Sequence, residues 1–364
     1  MKPAIHQFVA GFTHGDAISN EALVLRRLFR SWGHESEIIS ELSHILPELR
    51  GQARAVAAYV PSAGRDDVVL LHLSIGSALN DVFASLPCRK AILYHNITPS
   101  HFFRLLNRRT AHNLEKGRRQ TEALAGAASL NMADSRFNAD ELTALGYRDV
   151  KVLPLVLDLE ALRTAPDPRT LRKFDDGCTQ VLFVGRCAPN KRLEDCLTAF
   201  HYFHRFVNPR SRFIHVGSFA GTERYYYLLM AQARELGLGS QSVHFAGSVT
   251  QARLNAFYRR ANVFLCMSEH EGFCIPLVES MAHDVPVLAY AAGAVPETLD
   301  GSGVLFREKR FEAVAEMIGR LADDGPLRSA VLAQQRERLA RYERRDLAAE
   351  LRALLAPLLG PTGR

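Results

Sequence analysis

The chain has 364 residues, of which 47% are hydrophobic and 23% charged, and this balance is typical of a soluble globular protein with about two domains. Disordered and membrane-spanning classes are disfavoured, because the chain has enough hydrophobic residues to form a core and no stretch approaches the ~20 apolar residues of a transmembrane helix. The net charge of +6 favours an anionic partner, and charge alone does not separate nucleic acid, lipid headgroups and phosphorylated ligands.

The N-terminal stretch "MKPAIHQFVAGFTHGD" has only short apolar runs, so it is not typical of a signal peptide and we expect a cytosolic protein. No C-x-x-C pair occurs, which argues against a disulfide framework or a zinc site. We therefore expect reduced cysteines that mostly fill the core. The six are Cys88, Cys178, Cys187, Cys196, Cys266 and Cys274.

Short apolar runs alternate with longer helical patterns, which predicts an α/β protein with parallel sheets. A helix is expected over "EKGRRQTEALAGA", residues 115–127, after the third strand of the first half. The strands predicted in this half are 5–12, 68–74, 90–96, 130–135 and 150–156.

The densest basic segment is "FFRLLNRRTAHNLEKGRRQ", in which Glu115 is the single acid. Its mixture of cations and apolar residues suits a helix on a membrane surface. A solvated helix that packs its apolar side on its own domain is the alternative. The cations are Arg104, Arg108, Arg109, Lys116, Arg118 and Arg119.

The best linker candidate contains Pro166 and Pro168, which interrupt any long helix, and ends in the turn residues "DDG". We expect an N-terminal domain at 1–155, a linker at 156–177, a C-terminal domain at 178–335 and a final helix at 336–364 that docks across the domains. Five leucines on one face predict that the last helix packs onto protein. They are Leu347, Leu351, Leu354, Leu355 and Leu358.

The second half predicts a complete doubly wound domain. In open sheets of this kind, ligands bind beyond the carboxyl ends of the strands, so the loops after those strands are the places to search for chemistry. The predicted strands are 179–185, 212–218, 242–247, 262–268, 285–290 and 303–306.

The loop and helix "SEHEGFCIPLVESMAHDVPVLAY" place Glu271 and Glu279 eight residues apart. Pro276 suits the first turn of a helix, and Glu279 then lies beside the face that packs on the core. Cys274 is a poor N-cap and leaves backbone N–H groups for an anion such as phosphate. Alternatively, Glu279 only favours the helix dipole and Glu271 is a surface loop residue.

In "VGRCAPNKRLED", Arg186 and Lys191 follow a strand across a turn, so that two cations converge on one place. A diphosphate suits such a pair, because arginine offers a planar fork and lysine a point charge. Two unrelated surface cations are the alternative interpretation.

The order of "FVGRCAPNKR", "VHFAGSVTQARLNAFYRRANVFLCMSE", "EGFCIPLVE" and "HDVPVLAYAAGAVPETL" resembles the nucleotide-sugar domain of retaining GT-B glycosyltransferases of family 4. The likeness spans about residues 180–300. In the first half it depends on "GDAISNEALVLRRLFRSWGHESEI" and "ADSRFNADEL". The resemblance implies a GT-B fold, with two doubly wound Rossmann-like domains and an interdomain cleft.

The resemblance also implies roles for the residues of these motifs. Glu279 would bind the ribose hydroxyls, Arg186 and Lys191 the diphosphate, and Glu271 the donor sugar. Cys274 and Asp284 stand where the family often has glycine. Further donor contacts are implied for Gly247, Ser248 and Val249 near the base, and for the backbone of Gly272, Phe273, Cys274 and Ile275 near the sugar and phosphates.

Two loops of the first half are added by the same resemblance. His95, in "LYHNITP", would face the donor sugar, although a histidine at a strand end is more often structural. Gly15, in "FTHGDAISNEAL", would admit close approach of a ligand, although an ordinary strand-to-helix turn also explains it. We therefore expect His95, Arg186, Lys191 and Glu271 to be catalytic, and Gly15 to contact the donor.

The function implied is retaining transfer of a sugar from a nucleoside diphosphate sugar to an acceptor hydroxyl, in glycan or polysaccharide assembly. Retention is compatible with a carboxylate nucleophile and with assistance of the incoming hydroxyl by the departing phosphate on the same face, and the sequence does not choose between them. No D-x-D cluster stands out, so neither a metal nor another cofactor is expected. The expected partners are the nucleotide sugar, a glycan or lipid-linked acceptor and an anionic membrane at its cytosolic face, and not nucleic acid. A sugar-nucleotide epimerase and a non-catalytic binding protein are the alternatives. A dinucleotide-dependent oxidoreductase is disfavoured because G-x-G-x-x-G is absent.

Overall fold

The computed structural model describes residues 2–323 and 325–360. Residue 1 of the predicted first domain and residues 361–364 of the predicted final segment lie outside the described residues. The chain divides into two compact units. The first contains residues 2–101, 108–157 and 346–360, and the second contains 102–107 and 158–345 apart from residue 324. Across the described residues, no helix is both long and apolar enough to pass through a lipid bilayer.

In the described part of the first unit, seven parallel strands form the sheet, in the spatial order 3-2-1-4-5-6-7. Every residue of the central strands β1 and β4 is buried, as expected where helices cover both faces of a parallel sheet. The strands are β1 Ile5–Val9, β2 Ile38–Ser40, β3 Arg54–Ala55, β4 Val68–Leu73, β5 Arg89–Tyr94, β6 Leu130–Ala133 and β7 Lys151–Val152.

The second unit contains, among its described residues, a parallel sheet of six strands in the order 10-9-8-11-12-13. Strand order therefore reverses between β1 and β4 in the first sheet and between β8 and β11 in the second, which are the places where open sheets bind ligands. The strands are β8 Thr179–Val184, β9 Ser211–Val216, β10 Val243–Phe245, β11 Val263–Cys266, β12 Val287–Tyr290 and β13 Val304–Phe306.

Helices connect the strands of both units. Those of the first unit are α1 Ala17–Ser31, α2 Val56–Tyr59, α3 Ala78–Ser85, α4 Arg108–Ala123, α5 Arg136–Ala144 and α15 Leu347–Leu359. Those of the second are α6 Leu159–Arg163, α7 Pro168–Lys173, α8 Leu193–Tyr202, α9 Glu223–Glu235, α10 Gln251–Arg260, α11 Ile275–Ala282, α12 Val295–Leu299, α13 Phe311–Ala322 and α14 Pro326–Arg344.

The alternation of the sequence predicts these sheets well, with two kinds of error. Strands β2 and β3 are missed, because three and two residues are too few to show a period. The predicted strands 5–12 and 150–156 are too long. The apolar run after Val152 leaves the sheet, and Leu153 and Leu155 are buried because they fill the core.

The segment predicted as a linker, 156–177, contains α6 and α7, and the division between the units falls after Leu157. Asn255 holds the first of these helices by donating to the carbonyl oxygens of Ala161 and Thr164, both at 3.1 Å. The backbone N–H of Asp167 donates to Ala252 at 2.8 Å. These bonds attach α6 and α7 to α10 of the second unit.

The final segment predicted as one piece, 336–364, is divided between the units. Helix α14 belongs to the second, whereas α15 belongs to the first. Leu351, Leu355 and Leu358 of α15 are buried in a cluster with Ile5 and Phe29. Since burying one leucine contributes about 1.5–3 kcal/mol, these three anchor the helix. The prediction that the last helix packs onto protein is confirmed.

Candidate functional site

The loop after β8 carries the two cations expected to bind a diphosphate. Gly185 has a φ of +146°, and a short 3-10 turn, Pro189–Lys191, brings the chain round to α8. The side chain of Arg186 is exposed, and its terminal nitrogen lies 3.5 Å from the carbonyl oxygen of Ala220. Lys191 is largely buried, with 21% of its side chain exposed. The Arg186 side chain is therefore exposed at the carboxyl end of the sheet, whereas the Lys191 side chain is largely buried there.

Two hydrogen bonds join this loop to the loop after β11. The backbone N–H of Glu269 donates to the carbonyl oxygen of Asn190 at 2.9 Å, and the side-chain amide of Asn190 donates to the carbonyl oxygen of His270 at 3.1 Å. Because β8 and β11 flank the point where strand order reverses, these bonds fix both loops at the edge where a ligand is expected.

Lys191 and Glu271 form the central ion pair of this edge, with Nζ 2.6 Å from Oε2. Glu271 has only 6% of its side chain exposed, so its carboxylate needs a charged partner. Burial alone lowers the pKa of Lys191, but the Glu271 carboxylate outweighs burial and raises the pKa above its usual value. The lysine is therefore a cation throughout the physiological pH range.

A third loop holds the backbone of Glu271. The N–H of Ala294 donates to the Glu271 carbonyl oxygen at 3.0 Å. Gly293 has a φ of +55°, and a Cβ there would lie 2.5 Å from the same oxygen, so only glycine fits. This loop was not among those predicted from the sequence, although it follows strand β12.

Cys274 begins helix α11 in a left-handed conformation, with a φ of +70°. Asp284, just after this helix, also has a positive φ of +54°, so both departures from glycine stand where the backbone favours glycine. The Cys274 side chain makes no capping bond, as predicted. In the first turn of α11, Pro276 has no N–H, and the N–H of Leu277 donates to the Cys274 carbonyl oxygen at 3.1 Å.

The sulfur of Cys274 is buried and lies near that of Cys266, eight residues earlier in the chain. The two Sγ atoms and a carboxylate oxygen of Glu271 lie within 4.8 Å of one another. Residues of these types ligate zinc, which the absence of a C-x-x-C pair had argued against. The Glu271 carboxylate, however, is already paired with Lys191.

Glu279 lies in the second turn of α11, on a helix that buries Leu277, Val278 and Met281. It is half-buried beside this face, as predicted. The Tyr258 hydroxyl, from α10, donates to Glu279 Oε2 at 2.6 Å. Burial raises the pKa of Glu279, and the bond from Tyr258 opposes that rise.

Gly247, Ser248 and Val249 form the loop after β10. Gly247 has a φ of +67°, and its carbonyl oxygen accepts from the N–H of Gly217 at 3.0 Å. A Cβ at Gly217 would lie 1.9 Å from the carbonyl oxygen of Gly185. Close backbone packing therefore joins the loops after β10, β9 and β8, the last of which carries Arg186.

An ion-pair network behind Lys191 was not predicted from the sequence. Lys309, from the loop after β13, lies 2.7 Å from both Asp195 and Glu269. Arg192 contacts the same two carboxylates at 3.1 and 3.3 Å and has a left-handed φ of +52°. The rule that loops after strands carry the site could have led to Lys309, which follows β13 by three residues.

The first unit has a buried polar cluster of its own, at the carboxyl ends of its strands. We call the side chains of Gln7, Glu21, His72, His95 and Asp134 the His95 cluster. His95 Nε2 lies 2.9 Å from His72 Nδ1 and 3.6 Å from Glu21 Oε2, and its Nδ1 lies 3.4 Å from Asp134 Oδ2. Both ring nitrogens of His95 therefore face protein side chains.

The hydrogen-bond directions in the His95 cluster show which ring nitrogen of His72 carries the proton. The Gln7 amide donates to the carbonyl oxygen of Ala22, so its oxygen accepts from His72 Nε2 at 3.0 Å. Burial holds the pKa of His72 well below its usual value, and the neutral ring accepts at Nδ1 from His95 Nε2. His95 is therefore the proton donor of the pair.

Two buried carboxyl groups accompany this histidine. Burial raises the pKa of Glu21 to about 7, and Glu21 Oε2 accepts no hydrogen bond among the described residues. Burial alone lowers the pKa of His95, but Asp134 and Glu21 outweigh burial and raise it. The charge of this cluster consequently changes near neutral pH.

Gly15 lies in the loop after β1, with a φ of +69° and no atom within 4 Å of a Cβ placed on it. The next residue, Asp16, caps α1 by accepting from the N–H of Ser19 at 2.9 Å. The backbone at Gly15 is thus open and left-handed, as a close ligand approach requires, but an ordinary helix-capping turn has the same features.

Residues 102–107 of the basic segment belong to the second unit and residues 108–120 to the first, where two of its cations form ion pairs. Lys116 lies 3.6 Å from Asp81, and Arg118 lies 3.0 Å from Glu141. Leu105 has 85% of its surface exposed. The cations with exposed side chains are Arg104, Arg108, Arg109 and Arg119.

The structure thus brings Lys191, Glu271 and Cys274 together and places Glu279 against Tyr258. The backbone of Gly272, Phe273 and Ile275 belongs to the same loop and helix start, and the carbonyl oxygen of Phe273 accepts from Thr298 at 2.5 Å. Arg186 and the Gly247 loop share this edge of the second sheet. His95 and Gly15 belong to the first unit.

Residues 170–345 match the family Glycosyl transferases group 1. This segment is similar to the group 1 glycosyltransferases. It contains every residue of the second unit's candidate site, from Arg186 to Lys309.

Two curated relatives are similar to part of the chain. The D-inositol 3-phosphate glycosyltransferase of Acidothermus cellulolyticus is 33% identical over 189 residues, which are 48% of this chain and 41% of that protein. The GDP-mannose:cellobiosyl-diphosphopolyprenol alpha-mannosyltransferase of Xanthomonas campestris is 32% identical over 178 residues, 46% of this chain and 44% of that protein. The matches therefore span less than half of the length of either relative.

The whole fold is similar to that of solved glycosyltransferases. Sucrose-phosphate synthase from Thermosynechococcus elongatus superposes with a TM-score of 0.75 at 16% identity, and the alignment covers 98% of this chain and 99% of that one. The fold class predicted from the sequence is confirmed: the chain has two parallel-sheet α/β domains of the GT-B type.

Proposed function

We propose that the chain is a retaining glycosyltransferase, which moves a sugar from a nucleoside diphosphate sugar to an acceptor hydroxyl. The observation that carries the proposal is the Lys191–Glu271 ion pair at the carboxyl ends of β8 and β11. It places a lasting cation at the edge where α/β sheets bind nucleotides, inside the segment that matches the glycosyltransferase family.

Lys191 and Arg186 would stabilise the negative charge that grows on the departing diphosphate. The uncapped N-terminus of α11 would add backbone N–H donors to the same charge. Stabilisation of this kind is commonly the largest catalytic contribution, and here fixed cations supply it, so the proposed transfer needs no metal at the diphosphate. An activity that survives EDTA would support this part of the proposal.

Glu271 would lie near the donor sugar, and its carboxylate would hold Lys191 in position. Glu279 would accept hydrogen bonds from the ribose hydroxyls, and the loop Gly247–Val249 would lie near the base. The acceptor hydroxyl would attack from the face that the diphosphate leaves, which gives retention at the anomeric carbon. The prediction that His95 faces the donor sugar stays a prediction.

We propose a glycan or lipid-linked acceptor used at the cytosolic face of a membrane. Two observations support it: the exposed cations and Leu105 of the basic segment, and the diphosphopolyprenol in the name of the Xanthomonas relative. Salt-sensitive binding to vesicles containing anionic lipid is expected. Binding unchanged by charge reversal at Arg108, Arg109 and Arg119 would contradict this role.

The test is a screen with UDP, GDP and ADP and their sugars. A nucleotide at ~100 times its Kd should stabilise the protein by about 2.7 kcal/mol, which a thermal shift detects. The sugar that is released or transferred is then followed by NMR, which also reports the anomer. A donor turned over only with an added acceptor supports transfer, isomerisation of the donor alone would indicate an epimerase, and binding without turnover a binding protein.

A further inference from the structure

Tyr258 is the hydrogen-bond partner of Glu279 in the part of the chain that the structure describes. Its hydroxyl lies 2.6 Å from Oε2, and the tyrosine is fully buried whereas the glutamate is half-buried. The bond therefore joins a residue of the core of α10 to a carboxylate that reaches solvent from α11. Tyr258 therefore binds Oε2 of the carboxylate from the core side, and Oε1 can accept a hydrogen bond from another donor.

The position of the Tyr258 ring is itself fixed. It stacks on His283, with ring centroids 5.0 Å apart and an interplanar angle of 5°, and lies 6.5 Å from Phe264. Burial raises the pKa of Tyr258 well above its usual value, so the hydroxyl keeps its proton and donates a hydrogen bond to the carboxylate. The tyrosine is a rigid donor in a place where a phenylalanine would pack equally well.

We infer that Tyr258 is a positioning residue that holds the Glu279 carboxylate in the orientation in which it accepts hydrogen bonds from a nucleoside ribose. The inference rests on the proposed function, because it assigns a partner to the carboxylate that the function places at the ribose. Glutamate has three side-chain torsions, and a carboxylate already held at one oxygen loses less entropy when a ligand binds.

A purely structural role for the same bond is distinguishable. If Tyr258 only filled the core, its hydroxyl would affect stability and leave nucleotide binding unchanged. If it positions Glu279, its removal weakens binding and also changes the pH dependence. Burial then raises the pKa of Glu279 without opposition, so affinity is lost at a higher pH as the carboxylate takes up a proton.

The experiment compares Tyr258→Phe with wild type in calorimetric titrations from pH 5 to 8. The probe is whichever of UDP, GDP and ADP gives the largest thermal shift with the wild-type protein. The matched control is Tyr225→Phe, which removes another buried tyrosine hydroxyl bonded to a glutamate, Glu194. Glu279→Gln and the double variant complete a mutant cycle.

We expect Tyr258→Phe to weaken nucleotide binding by about tenfold at pH 7.5, as a lost bond to a charged group implies, and more strongly at pH 6. Tyr225→Phe should bind like wild type. In the Glu279→Gln background, the additional effect of Tyr258→Phe should be threefold or less, because a neutral amide has no charge to stabilise.

Four results would overturn the inference, and they separate it from the proposed function. Wild-type affinity and pH dependence in Tyr258→Phe, with weak binding in Glu279→Gln, would reject the positioning role alone. An equal loss from Tyr258→Phe in both backgrounds would assign the effect to packing. Unchanged binding in Glu279→Gln, or no binding of any nucleotide by the wild type, would reject the proposed site and the inference with it.

Discussion

The two units place buried carboxylates at corresponding edges of their sheets but balance them with different partners. In the second unit, Glu271 faces a lysine at 2.6 Å. In the first, Glu21 and Asp134 surround His95 at 3.6 and 3.4 Å. A lysine stays charged throughout the physiological range, whereas an imidazole does not. One edge therefore has a permanent charge pattern, and the other has a pattern that depends on pH.

The largest effect is expected from Lys191→Ala, which disrupts the permanent charge pattern of the second unit. It leaves a buried carboxylate without its cation, and we expect the free energy of unfolding to fall by about 2–4 kcal/mol. In a transfer assay with the donor found by the nucleotide screen, turnover should fall by roughly a hundredfold or more. Lys173→Ala, at an exposed lysine of the same unit, should change neither. Near-normal turnover in Lys191→Ala would remove its proposed role.

The next prediction concerns the close backbone packing of Gly217 against Gly185 in the second unit. Gly217→Ala would force a Cβ to within 1.9 Å of the Gly185 carbonyl oxygen, so the loop that carries Arg186 must move. We expect a loss of about 2–4 kcal/mol in denaturant unfolding, together with weaker nucleotide binding. Gly239→Ala is the control, because a Cβ there meets no atom within 4 Å. Equal free energies of unfolding for the two variants would show that the loops move apart at little energetic cost.

Measurements of stability at a series of pH values test the pH-dependent charge pattern of the first unit. Glu21 has a pKa of about 7 in the folded chain and an ordinary value near 4.5 when unfolded. Between these values the folded state binds more protons, so this group makes stability fall as pH rises. His95, whose pKa is also raised, acts in the same direction at higher pH, and His72, whose pKa is lowered, opposes them below its usual value.

Glu21→Gln removes the first of these contributions. The fall of Tm between pH 5 and 8 should become shallower in this variant than in wild type. Glu122→Gln, at an exposed carboxylate of the same unit, should leave the slope unchanged. A Glu21→Gln profile parallel to that of wild type would mean that Glu21 titrates normally.

The smallest expected effect concerns Cys274. A non-glycine residue at a φ of +70° costs about 1 kcal/mol, and glycine removes this cost but also removes a buried sulfur. Cys274→Gly should therefore lie within about 1 kcal/mol of wild type in chemical unfolding. Cys274→Ala, which keeps the strain and loses the sulfur, should be less stable than Cys274→Gly by roughly the same amount. The reverse order would mean that the left-handed backbone is not strained.

The sequence predicts much of the second unit because its motifs are local. The run from Glu271 to Glu279 forms one loop and one helix, so spacing alone places Glu279 beside the buried face of α11. What the sequence could not show are partners that are distant in the chain. Lys309 reaches Glu269 across 40 residues, and Tyr258 reaches Glu279 from another helix.

The first unit shows the same limit more strongly. His95 is recognisable as a residue after a strand, but Glu21, His72 and Asp134 come from three other elements, and parallel pairing brings them together. Spacing along the chain carries no information on such a cluster. The roles proposed for the candidate residues stay predictions until ligand binding is measured.

Helix α15 has a consequence for how the polypeptide is made. Its leucines complete the apolar core of the first unit, although the whole of the second unit precedes them in the chain. During synthesis the second unit has all of its own residues first, whereas the first unit waits with an uncovered apolar surface until residues 347–359 leave the ribosome. A premature stop after residue 345 would therefore spare the sequence of the unit proposed to bind the donor and still produce an aggregation-prone chain.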